Sequence, residues 1–238
     1  MRIFITYTII SFFLTAAVFS DEKPGRSFTD LPDVDDGYNI HVMYVLPKDG
    51  VDKEYDLDSK ISMLMYQIDK WFNSKTKDRL FADGQNLKFD RKDDSKIDIT
   101  FLRLDINDDE ISKHGIQAVN VLQPAISRFG FNDPKKVYFI IYGGSNRDVC
   151  ASSQLPSYAT EGVTANTAAL YYPGKRSGSC IENNGGFKPE FNETAKAALH
   201  EILHVLGPYH SVQKIISFLK MKVQLTMVSE GTYQYLVI

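Results

Sequence analysis

The sequence is poor in the residues that most often carry metal and redox chemistry. Its 238 residues hold two cysteines, five histidines and one tryptophan, so any grouping of the histidines is informative. A dominant charge is missing as well. Lys and Arg number 27 against 30 Asp and Glu, a net charge of −3. No basic patch with interleaved aromatics occurs, which sets nucleic acid aside as a partner. Beyond the N-terminus no run is long and apolar enough to span a bilayer, and no internal repeat is present.

The N-terminal exception, residues 1–20, reads as a signal peptide. Arg2 supplies the charged start, Ile3 to Val18 the apolar stretch, and Val18-Phe19-Ser20 the small residues before a cleavage at Asp21. Cleavage removes Arg2, leaving 26 basic residues against 30 acidic ones and a net charge of −4. The expectation is a secreted chain with no membrane attachment after cleavage, long enough for one domain with a sizeable core. In that compartment Cys150 and Cys180 most simply form one disulfide across a loop of about thirty residues. Asn192-Glu193-Thr194 is a glycosylation sequon.

Three of the five histidines fall within eleven residues. His200-Glu201-Ile202-Leu203-His204-Val205-Leu206-Gly207-Pro208-Tyr209-His210 reads H-E-x-x-H-x-x-G-x-x-H. Residues four apart share one face of a helix, so His200 and His204 can direct two imidazoles at one zinc ion. Glu201 can reach a water at the metal without ligating it, as a general base for hydrolysis of a carbonyl. Gly207 tolerates the left-handed conformation that ends helices, and a turn there brings His210 back as a third ligand. Three protein ligands and an open position describe a catalytic site for one Zn2+ ion. The preceding residues suit a helix: Asn192 is a candidate N-cap, Glu193 complements the dipole, and Thr194 to Leu199 has mostly high helix propensity.

This signature resembles that of the metzincin-type zinc metallopeptidases. The segments His41 to Asp49 and Phe131 to Tyr138 are also similar to a little-characterised group of secreted zinc-peptidase-like proteins, a likeness covering roughly residues 38 to 210. The resemblance implies an α/β (α+β metzincin-like) fold, in which a twisted mixed sheet packs on the zinc-binding helix. It also implies a peptide or protein substrate lying in a cleft along an edge strand.

The rest of the chain reads accordingly. Residues 21–36 are acidic and carry Pro24, Gly25 and Pro32, a composition expected of a disordered lead-in. A latency carboxylate from Asp30, Asp33, Asp35 or Asp36 is the functional alternative for that stretch. A domain at 37–210 follows, with strands at 40–46, around 97–101, at 137–141 and at 167–172. Ile61, Leu64, Met65, Ile68, Trp71 and Phe72 recur at helical spacing, and 108–129 suggests a second helix containing Pro124. The strand at 167–172 is the candidate edge of the cleft, with Tyr171 or Tyr172 a candidate oxyanion donor. His41 and His114 read as structural or solvated.

The C-terminal part departs from the resemblance. Only 28 residues follow His210, where metzincins carry a longer subdomain with a methionine turn beneath the metal. Met221 and Met227 lie in a strictly alternating stretch with no turn residue, so 211–238 reads as an atypical tail on a short or truncated subdomain. Pro208 restricts Gly207 at the point where the chain must turn. A distal glutamate in place of His210 would have to be Glu230, around which no motif forms. Two functions remain open at this level: a secreted zinc-dependent endopeptidase, and a secreted zinc-binding or protein-binding domain without turnover, including a truncated product.

Overall fold

The computed structural model describes residues 21–34, 38–77, 84–92, 96–154, 166–172 and 186–206. Five strands form one sheet: β1 (Asn39–Leu46), β2 (Ile99–Arg103), β3 (Lys136–Tyr142), β4 (Ala151–Ser153) and β5 (Thr167–Tyr171). Their order is β2-β1-β3-β5-β4. All pairs are parallel except β4, which runs antiparallel to β5 at one edge. Four α-helices accompany them among the described residues: α1 (Lys60–Lys77), α2 (Asp108–Ser112), α3 (Val119–Ser127) and α4 (Glu193–Val205). The fold is thus mixed α/β with a mostly parallel sheet, as expected from strands alternating with helices.

Side chains alternate across a strand, and the central strands use both faces. On one face Val42, Tyr44 and Leu46 of β1 join Phe139 and Ile141 of β3 and Ala168 and Leu170 of β5. This face packs on Ile61, Leu64, Met65 and Ile68 of α1 and on Ala195, Ala198, Leu199 and Ile202 of α4. On the other, Met43, Val45, Tyr138, Ile140, Tyr142, Ala169 and Tyr171 pack on Ile111 of α2 and on Val119, Leu122 and Ile126 of α3. Buried tyrosines keep their hydroxyls satisfied. Tyr44 accepts from Lys53 N at 3.0 Å, and Tyr142 donates to Asp108 Oδ1 at 3.0 Å. Desolvation pushes the Tyr44 and Tyr142 phenols well above their usual range.

Three expectations are corrected here. The helix expected over 108–129 is three pieces, α2, a 3-10 turn at Gly115–Ala118 and α3. Gly115 has φ +55°, and a β-carbon there would stand 2.0 Å from Asp148 Oδ2. Glycine is the residue that takes that backbone and that approach without strain, and the helix is interrupted there. Pro124 lies inside α3.

The strand over 167–172 is not the edge. β5 lies between β3 and β4, and the edge on that side is Ala151–Ser153.

Residues 21–34 of the expected disordered lead-in are ordered and run along β2. Phe101 N donates to Ser27 O at 2.8 Å, and Ser27 bridges Thr100 in parallel. The Arg26 side chain is fully buried and holds both Asp52 and Asp56 bidentately at 2.7–3.2 Å, its guanidinium 3.8 Å from the Phe101 ring centroid. Burial acts against the Arg26 charge, and the bonds to Asp56 and Asp52 outweigh it, so its pKa is raised. Asp21 pairs with Arg103 at 2.7 and 2.8 Å. An acidic segment that meets buried cations pays its ordering entropy through charge-assisted bonds. The strap also covers the β2 edge, which would otherwise present unpaired backbone groups. Asp35, Asp36, residues 1–20 and the tail 211–238 lie outside the described residues.

Candidate metal centre

Helix α4 starts where the sequence places its cap. Asn192 is extended, and its side-chain oxygen accepts from Ala195 N at 3.1 Å. Its amide nitrogen donates to Gly186 O at 3.0 Å. Both ends of the sequon asparagine are therefore used in fixing the start of the helix. Glu193 occupies the first turn, where the dipole favours it. Ala195, Ala198, Leu199 and Ile202 follow the i, i+3, i+4, i+7 spacing and are buried against the sheet and α1. Helix α4 also packs on β4, and Glu201 reaches that strand.

His200 is exposed, Glu201 is half-buried and His204 is buried. The Nε2 atoms of His200 and His204 stand 2.9 Å apart, with the rings at 89° and their centroids 4.4 Å apart. Two nitrogens bound to one zinc at about 2.0–2.1 Å in a tetrahedral shell would be roughly 3.3 Å apart. The observed 2.9 Å is a hydrogen-bond separation between two imidazoles, a donor type that zinc prefers, and a shared metal would require the nitrogens to part by about 0.4 Å. Glu201 sits one position from His200 and is held from β4: the Ser153 hydroxyl donates to its Oε2 at 2.6 Å.

The remaining site expectations fall into three groups. His210, Gly207, Cys180, Met221, Met227 and Glu230 lie outside the described residues, so the third ligand and the Cys150–Cys180 disulfide stay as expectations. Tyr171 and Tyr172 are committed to packing. The Tyr171 hydroxyl lies 2.7 Å from Ser152 Oγ on the α3 face, and desolvation raises its pKa. Tyr172 sits between Tyr55 and Phe187, with ring centroids 5.2 and 5.0 Å away. Asp30 and Asp33, the described latency candidates, are engaged elsewhere, on Lys136.

That engagement forms a second polar centre, legible in the sequence only as a structural reading of His41. His41 is fully buried in β1, with Nδ1 3.0 Å from Asp90 Oδ2 and Nε2 2.9 Å from Thr100 Oγ1. Lys136 Nζ donates to Asp30 at 2.7 and 2.8 Å, to Asp33 at 2.7 Å and to Asp90 at 2.9 Å. Asp98 accepts from Leu31 N at 3.0 Å and lies 3.6 Å from Lys92 Nζ. Burial opposes charge on Asp90, and the bonds from His41 and Lys136 outweigh it, holding the carboxyl far below its usual range. Burial likewise opposes charge on Lys136, whose three carboxylate partners raise its pKa instead. Asp30, His41, Asp90 and Asp98 offer ligand atoms within 4.8 Å of one another. The cation among them is the Lys136 ammonium, which makes the cluster an internal ion-pair network tying the strap to the sheet.

Neither the family models nor the curated proteins compared with this sequence match it. Among solved structures, OgpA from Akkermansia muciniphila is similar at TM-score 0.46 and 12% identity, over 78% of this chain and 52% of that one. A catalytically inactive OgpA in complex with an O-glycopeptide substrate, glycodrosocin, is similar at TM-score 0.46 and 11% identity, over 78% and 51% of the two chains. Archaemetzincin from Methanopyrus kandleri is similar at TM-score 0.34 and 12% identity, over 77% of this chain and 88% of that one. The chain spans about half the length of the OgpA chains it matches, 52% in the first case. The functional reading therefore rests on the residues of α4 and β4 and their geometry.

Proposed function

We propose that this chain is a secreted zinc-dependent peptidase in which His200, His204 and His210 hold one Zn2+ ion and Glu201 is the general base. The observation that carries this reading is the convergence of the two Nε2 atoms, 2.9 Å apart, with Glu201 beside them on a capped helix facing an edge strand. Zinc bound there supplies Lewis acidity, polarising a scissile carbonyl and acidifying the attacking water. Glu201 takes the proton from that water as it attacks the carbonyl carbon, then delivers it to the leaving amine nitrogen. Strand β4 pairs with β5 on one side only among the described residues. An extended peptide adding to its other edge would gain main-chain hydrogen bonds beside Glu201.

The same reading extends to the expectations that lie beyond the described residues: export by a signal at 1–20, and a Cys150–Cys180 disulfide joining the start of β4 to the segment between β5 and α4. A chelator tests the reading at once. Incubation with 1,10-phenanthroline should remove cleavage of a fluorescence-quenched peptide library, and stoichiometric zinc should restore it. Cleavage that persists in a chain shown to be zinc-free would exclude the reading.

A further inference from the structure

We propose that Ser153, on the edge strand, positions the general base: its hydroxyl clamps Glu201 Oε2 and leaves Oε1 as the oxygen that accepts the proton. The inference rests on the peptidase reading above but makes a separate claim about how the carboxylate is held. Four observations carry it. The bond is 2.6 Å long, a short charge-assisted contact of the strong kind, and joins residues 48 positions apart. It crosses between two elements that pack directly on one another, α4 and β4. The strand itself is fixed in register: Ser153 lies opposite Ala168, and Gln154 N donates to Thr167 O at 2.9 Å. The preceding serine points the other way and is pinned on the opposite face, its Oγ 2.7 Å from the Tyr171 hydroxyl. Ser152 and Ser153 thus divide the work of an alternating strand. One anchors β4 to the α3 side of the sheet, and the other bonds to the helix packed on it.

The physical consequence is preorganisation. A glutamate has three side-chain torsions, and a half-buried one with no partner samples several rotamers, only some of which reach a water at the metal. A hydroxyl donor on one carboxylate oxygen selects one orientation and keeps the other oxygen available. Because the donor sits on the strand whose open edge faces the proposed substrate, the position of the base is set by the same element that docks the peptide. Proton transfer then depends on β4 being in register, and not on α4 alone. Ser153 acts through Glu201 and not on the reacting atoms, so it is a positioning residue.

The test compares wild type, Ser153→Ala, Ser153→Thr and Glu201→Gln. Substrate is a single peptide chosen from a quenched library by wild-type cleavage. Ser153→Ala should lower kcat by about tenfold or more while KM, zinc stoichiometry and melting temperature stay near wild type, in keeping with partners that orient groups around a metal. Ser153→Thr, which keeps the hydroxyl, should recover most of that loss. A second readout is independent of turnover. In the metal-free chain, the infrared carboxylate band that disappears in Glu201→Gln should shift in Ser153→Ala and not in Ser153→Thr. A Ser153→Ala variant with wild-type kcat and an unshifted band overturns the positioning claim while Glu201→Gln still tests the peptidase reading. Should Glu201→Gln cleave like wild type, the peptidase reading falls, and the infrared band still decides whether Ser153 holds the carboxylate.

Discussion

Replacing Glu201 with glutamine should abolish proteolysis and leave the metal in place. Glutamine keeps the size and the ability to accept the Ser153 hydroxyl at its carbonyl oxygen, but it cannot take a proton from water. The expected loss in kcat/KM is on the order of 10²–10⁴-fold, the range that general acid–base catalysis contributes. Zinc should remain at wild-type stoichiometry, because Glu201 is not among the proposed ligands. Helix α4 should remain intact as well: its buried side is Ala195, Ala198, Leu199 and Ile202, and its cap is Asn192. Metal analysis and kinetics on the same preparation check both halves. Wild-type cleavage by Glu201→Gln would remove the base from the account, and loss of zinc would make the residue a ligand instead.

The second large effect is on stability and lies away from the metal. Lys136→Met keeps most of the side-chain volume but removes the one cation shared by Asp30, Asp33 and Asp90. Breaking a buried pair by deleting one partner leaves uncompensated charge and costs about 3–5 kcal/mol. Asp30 and Asp33 are partly solvated, each side chain being 27% exposed, so the expected loss is near the lower end, about 3 kcal/mol. In a domain of this size that lowers the melting temperature by roughly 6–12 °C at neutral pH.

The pH dependence distinguishes lost charge from lost packing. In the wild type, Asp90 has its pKa lowered, so its contribution is present above the unfolded carboxylate value and is lost as pH falls through the folded one. Lys136 has its pKa raised, so its contribution is full below the unfolded lysine value and is lost as pH rises through the folded one. Asp33 runs the other way: burial, the largest influence on it, raises its pKa, so its charge costs stability above the unfolded value and protonation relieves that cost. Wild-type stability from Asp90 and Lys136 should therefore hold between about pH 4 and pH 10, the ordinary carboxylate and lysine values. With Lys136 gone, protonation of the stranded carboxylates becomes favourable, and the variant should gain stability as pH drops from 7 to 5. Urea midpoints at pH 5, 7 and 9 check this. An equal deficit at all three would mean that packing around the methylene stem, and not the network, is what the substitution removes.

What the sequence reveals and what it conceals divide along the range of the interactions. Asn192 and Glu193 act within a few residues of the helix they start, and the cap and the first turn appear where they are read. The stripe from Ile61 to Phe72 likewise becomes α1, and the apolar run from Val137 to Ile141 becomes the middle of β3. The edge strand β4 is hidden because three residues, Ala151-Ser152-Ser153, are too few to show an alternation and carry no β-branched or aromatic marker. It forms because β5 offers a free edge, a fact that belongs to the sheet and not to the local sequence. Ser153 is concealed for the same reason, since nothing in Ser-Ser-Gln announces a partner 48 residues on. The break at Gly115 depends on the approach of Asp148, and the order in 21–34 on Arg26, Arg103 and Lys136. Composition alone makes that segment look disordered, because the cation that neutralises Asp30 and Asp33, Lys136, is about a hundred positions away in the chain.

The most direct test of the central claim is the zinc content of the purified chain, wild type beside His200→Ala, His204→Ala and His210→Ala. The expected result is one tightly held zinc per wild-type chain, lost or greatly weakened in each variant, together with chelator-sensitive peptide cleavage in the wild type alone. Zinc that stays bound in His200→Ala and His204→Ala, or a folded wild-type chain that binds none, would contradict a metal centre on α4 and with it the proposed activity.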